Sequence, residues 1–148
     1  MPGELWLADT NVLIRWLQPH DRDYPIAQRA LPRLENVAAI PCYTSQNLGE
    51  FWNVLTRPAN RNGYGLTPAE ADSQARVIET RFRLLPDAPA VHEEWRRLLV
   101  DYSVSGTQVH DARLVASMRV HGARRLVTFN TRDFARFTAI QAFHPSHV

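Results

Sequence analysis

Short apolar runs set apart by stretches of helical period constrain this chain most. Residues 5–8 (Leu-Trp-Leu-Ala), 37–40 (Val-Ala-Ala-Ile, closed by Pro41) and 125–128 (Arg-Leu-Val-Thr) are strand-sized and too short for helices. Leu84-Leu85 and residues 138–143 are further short strand candidates. Helices are expected between them, over 11–17, 25–34, from Thr44 or Ser45 to Thr56, around Val91, Trp95, Leu98 and Tyr102, and over 111–121 with Gly122 as cap. The helix beginning at Pro68 has the clearest start, with Thr67 as N-cap, Pro68 in the first helical position and Glu70 completing a capping box. Strands separated by helices imply an α/β fold, a central mostly parallel sheet flanked by helices.

A chain of 148 residues, 45% hydrophobic and 22% charged, suggests one globular domain over 1–148. Cys42 is the only cysteine, which excludes an intrachain disulfide and a Cys-rich zinc site and suits a reducing, cytoplasmic setting. No apolar run is long enough for a bilayer, and the first residues lack a basic, then apolar leader. All 17 basic residues are Arg, against 15 acids, for a net charge of +2. Arg forks suit phosphate, so nucleic acid is a candidate partner. GC-rich coding accounts for the same bias, and the net charge is small for a dedicated nucleic-acid binder.

In open parallel sheets ligands bind beyond the carboxyl ends of the strands. Asp9 ends the first strand, and Asn130 and Asp133 follow the strand ending at Thr128. Asp9 suits a helix N-cap equally well, although Thr10 is able to take that task and leave the carboxylate free. Asp111 shares a helical stripe with Leu114, Val115 and Met118, where an ionised carboxylate needs a partner or a metal; an N-cap is the alternative. Glu50 lies on the flank opposite Leu48, Phe51, Trp52 and Leu55 and, by itself, reads as a solvated acid. The chain lacks the standard nucleotide-binding loops, the G-x-S-x-G elbow and the H-E-x-x-H zinc motif.

Four segments together resemble the PIN-domain ribonucleases, most closely the VapC-type toxins: Leu7-Ala8-Asp9-Thr10-Asn11-Val12-Leu13-Ile14, Asn47-Leu48-Gly49-Glu50-Phe51, Val109-His110-Asp111-Ala112-Arg113-Leu114-Val115-Ala116, and Val127-Thr128-Phe129-Asn130-Thr131-Arg132-Asp133-Phe134. The resemblance implies a PIN-like three-layer fold and Mg²⁺- or Mn²⁺-dependent endonucleolytic cleavage of RNA. Asp9, Glu50 and Asp111 match the family's three principal acids. On that basis Asp9 and Asp111 are the expected primary metal ligands, with Glu50 orienting water or holding a second ion. Thr10 and Asn130 are expected to support them. Many relatives carry a fourth acid where this chain has Asn130, so Asp133 is expected to act in its place through water, with capping of a short helix near Phe134 as the alternative. Arg15, Arg57, Arg61 and Arg113 are expected to guide the RNA backbone. The resemblance also implies an antitoxin partner and a homodimer; Trp16, Trp52 and Trp95 suit the dimer but suit a core as well.

Two other classes compete. A haloacid-dehalogenase phosphatase would use Asp9 as nucleophile, but it needs a second Asp where Asn11 stands. A degenerate PIN domain would bind RNA or protein without cutting, against which Asp9, Glu50 and Asp111 are retained.

Overall fold

The computed structural model describes residues 3–148. Five short strands, β1 (Leu5–Ala8), β2 (Ile40–Thr44), β3 (Arg83–Leu85), β4 (Arg125–Val127) and β5 (Gln141–Phe143), form one sheet. Its order is β3-β2-β1-β4-β5 and every neighbouring pair is parallel. Parallel neighbours need crossovers, supplied here by α1 (Thr10–Leu17), α2 (Tyr24–Asn36), α3 (Ser45–Thr56), α4 (Pro68–Arg81), α5 (Pro89–Asp101) and α6 (Gln108–His121).

Successive strand residues face opposite sides. Trp6, Ala8, Tyr43 and Val127 pack with residues of α1–α4 on one side. Leu7, Cys42, Leu85 and Leu126 pack with residues of α5 and α6 on the other. The result is the expected three-layer α/β fold. Trp16 lies in the first core, and Trp52 and Trp95 are half-buried against the two cores, with Trp95 Nε1 donating to the Val109 carbonyl at 2.8 Å. These tryptophans therefore give no support to a dimer interface.

The run 37–40 is a correction. Ala38, at φ 57, is the left-handed residue of a Schellman cap: Ala39 N–H donates to the Leu34 carbonyl and Ala38 N–H to that of Glu35, closing α2. β2 starts only at Ile40 and runs through Pro41. Ile40 N–H donates toward β1, to the Glu4 carbonyl. Pro41 nitrogen therefore points the other way, at a level that β3 has not reached, since β3 pairs from Cys42 onward. The missing N–H costs no ladder bond there.

From β1 the sheet grows outward in both directions, through β2 and β3 on one side and β4 and β5 on the other. The switch point is the crevice between β1 and β4, and beyond its carboxyl end stand Asp9 and Thr128. The ladder continues one step there, with Asp9 N–H donating to the Val127 carbonyl and Thr128 N–H to that of Phe143, both at 2.9 Å.

Candidate active site

Asp9 caps α1, and Thr10 is the first residue of that helix rather than its cap. The cap leaves much of the carboxylate in use elsewhere. Oδ1 accepts from Thr10 N–H at 2.8 Å, while Oδ2 accepts from the fully buried Thr128 hydroxyl at 2.8 Å and from Asn11 Nδ2 at 3.4 Å. Asn11 also accepts from Phe129 N–H, and Thr128 Oγ1 from Asn130 N–H. Burial pushes the Asp9 carboxyl up to about 6; its hydrogen bonds from Thr128 and Thr10 oppose the rise, and the charges of Glu50 and Asp133 add to it.

Asp111 stands one turn inside α6, whose N-cap position is Thr107, so it caps nothing. Its half-buried carboxyl is pushed up to about 7 by burial, then by the charges of Asp9, Asp133 and Glu50, and no donor offsets them. Glu50 is not a solvated surface acid. Its Oε2 accepts from the Thr10 hydroxyl at 2.8 Å and its Oε1 from Gln46 Nε2 at 3.1 Å. Gln46 Nε2 also reaches the His110 carbonyl at 2.9 Å, which ties α3 to α6 across the cleft.

Asp133 lies within the 3₁₀ turn Thr131–Phe134, whose N-cap position is Asn130, so the capping alternative does not hold. Its charge is felt by both Asp9 and Asp111. Asn130 is exposed, and its backbone rather than its side chain supports Thr128. Asp9, Glu50, Asp111 and Asp133 thus lie around the switch point on four separate elements, near enough for their charges to act on the Asp9 and Asp111 carboxyls.

The profile of the PIN domain family matches residues 7–140. This chain belongs to the PIN-domain family. Among curated proteins it is similar to Ribonuclease VapC24 of Mycobacterium tuberculosis, 28% identical over 144 residues that cover 93% of this chain and 94% of that one. Among solved structures it is similar to VapBC2 from Rickettsia felis bound to a DNA fragment from their promoter, at TM-score 0.71, 14% identity and 95% and 98% coverage of the two chains. Mycobacterium tuberculosis VapC20, a sarcin–ricin loop cleaving toxin, aligns at TM-score 0.65 and 19% identity over 89% of this chain and 95% of its own.

The PIN-domain acids form an all-oxygen, anionic set, which suits a hard divalent cation. Among the described residues no group of three or more His, Cys, Asp or Glu converges as a ready-made cage. Mg²⁺ needs none, because it keeps several waters and is held through one or two carboxylates. Gln46 Oε1 is buried beside Glu50 without a donor, an acceptor suited to the water that a hydrated cation retains.

Three polar residues of this PIN domain were not singled out by sequence reasoning. Thr128 holds Asp9, Asn11 joins the two strand ends, and Asn47, fully buried at the start of α3, donates to Thr10 Oγ1 at 3.2 Å. Asn47 also forms a reciprocal cap with Thr44, a signal masked because Asn stands where a capping box usually has Glu or Gln.

The four arginines part ways. Arg57 Nη2 donates to the Asn62 carbonyl at 2.8 Å, and Arg113 pairs with Asp87 at 3.0 Å. Arg61 is exposed on the 3₁₀ turn Ala59–Arg61. Arg15 lies over the Phe129 ring, 4.4 Å from its centroid.

Proposed function

We propose that this PIN domain is a Mg²⁺- or Mn²⁺-dependent endoribonuclease, the toxin of a toxin–antitoxin pair, and forms one domain over 1–148. The observation that carries the reading is the meeting of Asp9, Glu50, Asp111 and Asp133 at the sheet's switch point, with Asp9 and Asp111 pushed to about 6 and about 7. Burial and mutual repulsion leave this cluster in want of positive charge. The kinship with a protein named a ribonuclease, and with toxin folds solved in VapBC complexes, supports the same reading.

Asp9 and Asp111 would hold the ion, Glu50 would orient the attacking water or hold a second ion, and Asp133 would act through water. A bound metal would supply polarisation of a phosphoryl oxygen and would lower the pKa of a water, chemistry that needs no ribose 2′-OH. Thr128 and Asn11 hold Asp9, and Thr10 and Gln46 hold Glu50, so the chain fixes its carboxylates before substrate arrives. Arg61 makes no ion pair among the described residues, and Arg15 pairs only loosely, with Asp21 and Asp23 at 3.9 and 3.8 Å, so these two are the better guides for RNA phosphates. Arg57 and Arg113 are drawn into the protein's own contacts.

An antitoxin, a homodimer and a cytoplasmic location belong to the same proposal and rest on the kinship. No helix among the described residues is long and apolar enough to cross a membrane. The deciding experiment incubates purified protein with single-stranded RNA and Mg²⁺, Mn²⁺ or EDTA. Cleavage that needs the metal and disappears in Asp9→Asn is expected. RNA binding with no cleavage in any metal sinks the enzyme reading in favour of a binding module. Copurification with the neighbouring gene product tests the antitoxin, and light scattering tests the dimer.

A further inference from the structure

We infer that the groove between α1 and the loop at 62–64 is a subsite for one unpaired nucleotide of the RNA, its base stacked on Tyr64 and its phosphate held by Arg15. The inference rests on the ribonuclease reading and adds the residues that would seat one nucleotide beside the acids.

The groove has a volume of about 300 Å³ and is lined by Asn11, Arg15, Asp21, Asn62 and Tyr64 over a floor that includes Val54. That volume lies at the small end of ligand sites, enough for a nucleoside and too small for a duplex. Asn11 is the shared wall, because the same side chain donates to Asp9 Oδ2 and to Thr128 Oγ1. A nucleotide seated here has its sugar–phosphate chain beside the acids.

Tyr64 is 37% exposed, yet the backbone beneath it is fixed. Tyr64 N–H donates to the Val54 carbonyl, Gly63 N–H to that of Pro58 and Gly65 N–H to that of Arg57. Arg57 Nη2 clamps the Asn62 carbonyl from the other side. Asn62 takes the left-handed conformation at φ 60, and a Cβ on Gly63 would lie 1.9 Å from the Arg57 carbonyl oxygen, so that turn admits no side chain. An exposed aromatic ring on a braced loop is a preorganised stacking platform, and stacking tolerates any base.

Arg15 is two-thirds buried over Phe129, but its nearest carboxylates, Asp21 and Asp23, lie 3.9 and 3.8 Å from Nε. Both are loose ion pairs through Nε, and among the described residues the terminal nitrogens of Arg15 make no hydrogen bond, so its fork meets a phosphate in competition with these two carboxylates. Asp21 offers the acceptor that an exocyclic amine or a ribose hydroxyl needs. Unpaired bases are what proteins read on RNA by stacking, because the duplex hides its base faces.

The test measures binding by fluorescence anisotropy, with a short labelled single-stranded RNA and the same RNA annealed to its complement, in the non-cutting Asp9→Asn background. Tyr64→Ala and Tyr64→Leu are expected to weaken single-strand binding by about 5- to 150-fold without changing its salt slope, while Tyr64→Phe stays within about twofold. Arg15→Gln is expected to lower that slope by about 0.7, the loss of one phosphate contact. Duplex binding should not respond to Tyr64. Folded Tyr64→Ala and Tyr64→Leu proteins that bind single strands normally, or that lose both forms equally, overturn the subsite. If the same Tyr64 substitutions made with Asp9 intact cut RNA normally, the ribonuclease reading survives that loss. Intact protein that neither binds nor cuts RNA removes both.

Discussion

Asn47 donates through Nδ2 to Thr10 Oγ1, 3.2 Å away, and the direction of that bond is forced. Thr44 N–H is a donor only and takes Asn47 Oδ1 at 2.9 Å, so the amide nitrogen must face Thr10. The Thr10 hydroxyl then accepts from Asn47 and spends its single proton on Glu50 Oε2. A backbone amide at the end of β2 thus polarises a relay that ends on a carboxylate acceptor.

Thr10→Val cuts this relay at its centre. Asn47 Nδ2 is left buried without a partner, at a cost of about 1–3 kcal/mol, and Glu50 loses its strongest tether. Urea unfolding should show that loss. Cleavage should fall by roughly ten- to a hundredfold, the effect of an active-site group displaced by a fraction of its own length. Thr10→Ser keeps the hydroxyl and should restore both.

Stability of the metal-free protein should fall as pH rises from about 4 to about 7. Asp9 and Asp111 hold protons up to about 6 and about 7 when folded, against 3.8 ordinarily, so over this window the folded chain binds more protons than the unfolded one. Their stabilising contribution is complete below the ordinary value and lost above the raised ones. Thermal melts in EDTA should give a higher Tm near the bottom of that window than above it. Asp111→Asn should flatten the dependence and melt roughly 2–4 °C higher at neutral pH, the shift of a change near 1 kcal/mol in a chain this long. Calorimetry should find its Mn²⁺ affinity reduced; unchanged affinity removes Asp111 from the ligand set.

Asp133→Asn should weaken Mn²⁺ binding and slow cleavage while leaving Tm within about 2 °C, because its side chain caps no helix. Asn130→Asp probes the neighbouring position, whose side chain is exposed. It should tighten Mn²⁺ binding, since affinity follows ligand charge. A large drop in Tm with normal cleavage in Asp133→Asn returns that residue to a structural part.

Ala38→Gly should stabilise the chain by about 1 kcal/mol, because an L-residue with a Cβ is strained in the left-handed region and glycine is not. The site is remote, so cleavage should not change. A destabilised variant would mean that the glycine's greater freedom in the unfolded chain outweighs the strain.

The strand ending in Asp9 was legible because an apolar run that stops at an acid marks a sheet edge in any parallel fold. Pro41 hid β2, since its harmlessness depends on where β3 begins, which lies more than forty positions away. The helical period around Glu50 showed that it leaves the core, but not that Thr10 and Gln46 meet it on the other flank. The cap alternative for Asp111 stays open in the sequence because its pattern starts α6 three residues late, behind a Thr107 that makes no side-chain cap bond. Thr128 and Asn47 were illegible for one reason: they matter through partners 119 and 37 positions away, and local pattern carries no such pairing.

That longest contact has a temporal consequence. The hydroxyl that steadies Asp9 belongs to a strand end itself fixed by the Phe143 carbonyl, so Asp9 waits for a partner 119 positions later in the chain. A growing polypeptide emerging from the ribosome has Asp9 and Glu50 early, but it lacks the β4 and β5 edge that seats Asp9. Pairings of such high sequence separation form late and slowly. A site wired in this order is completed only once β4 and β5 have joined the sheet.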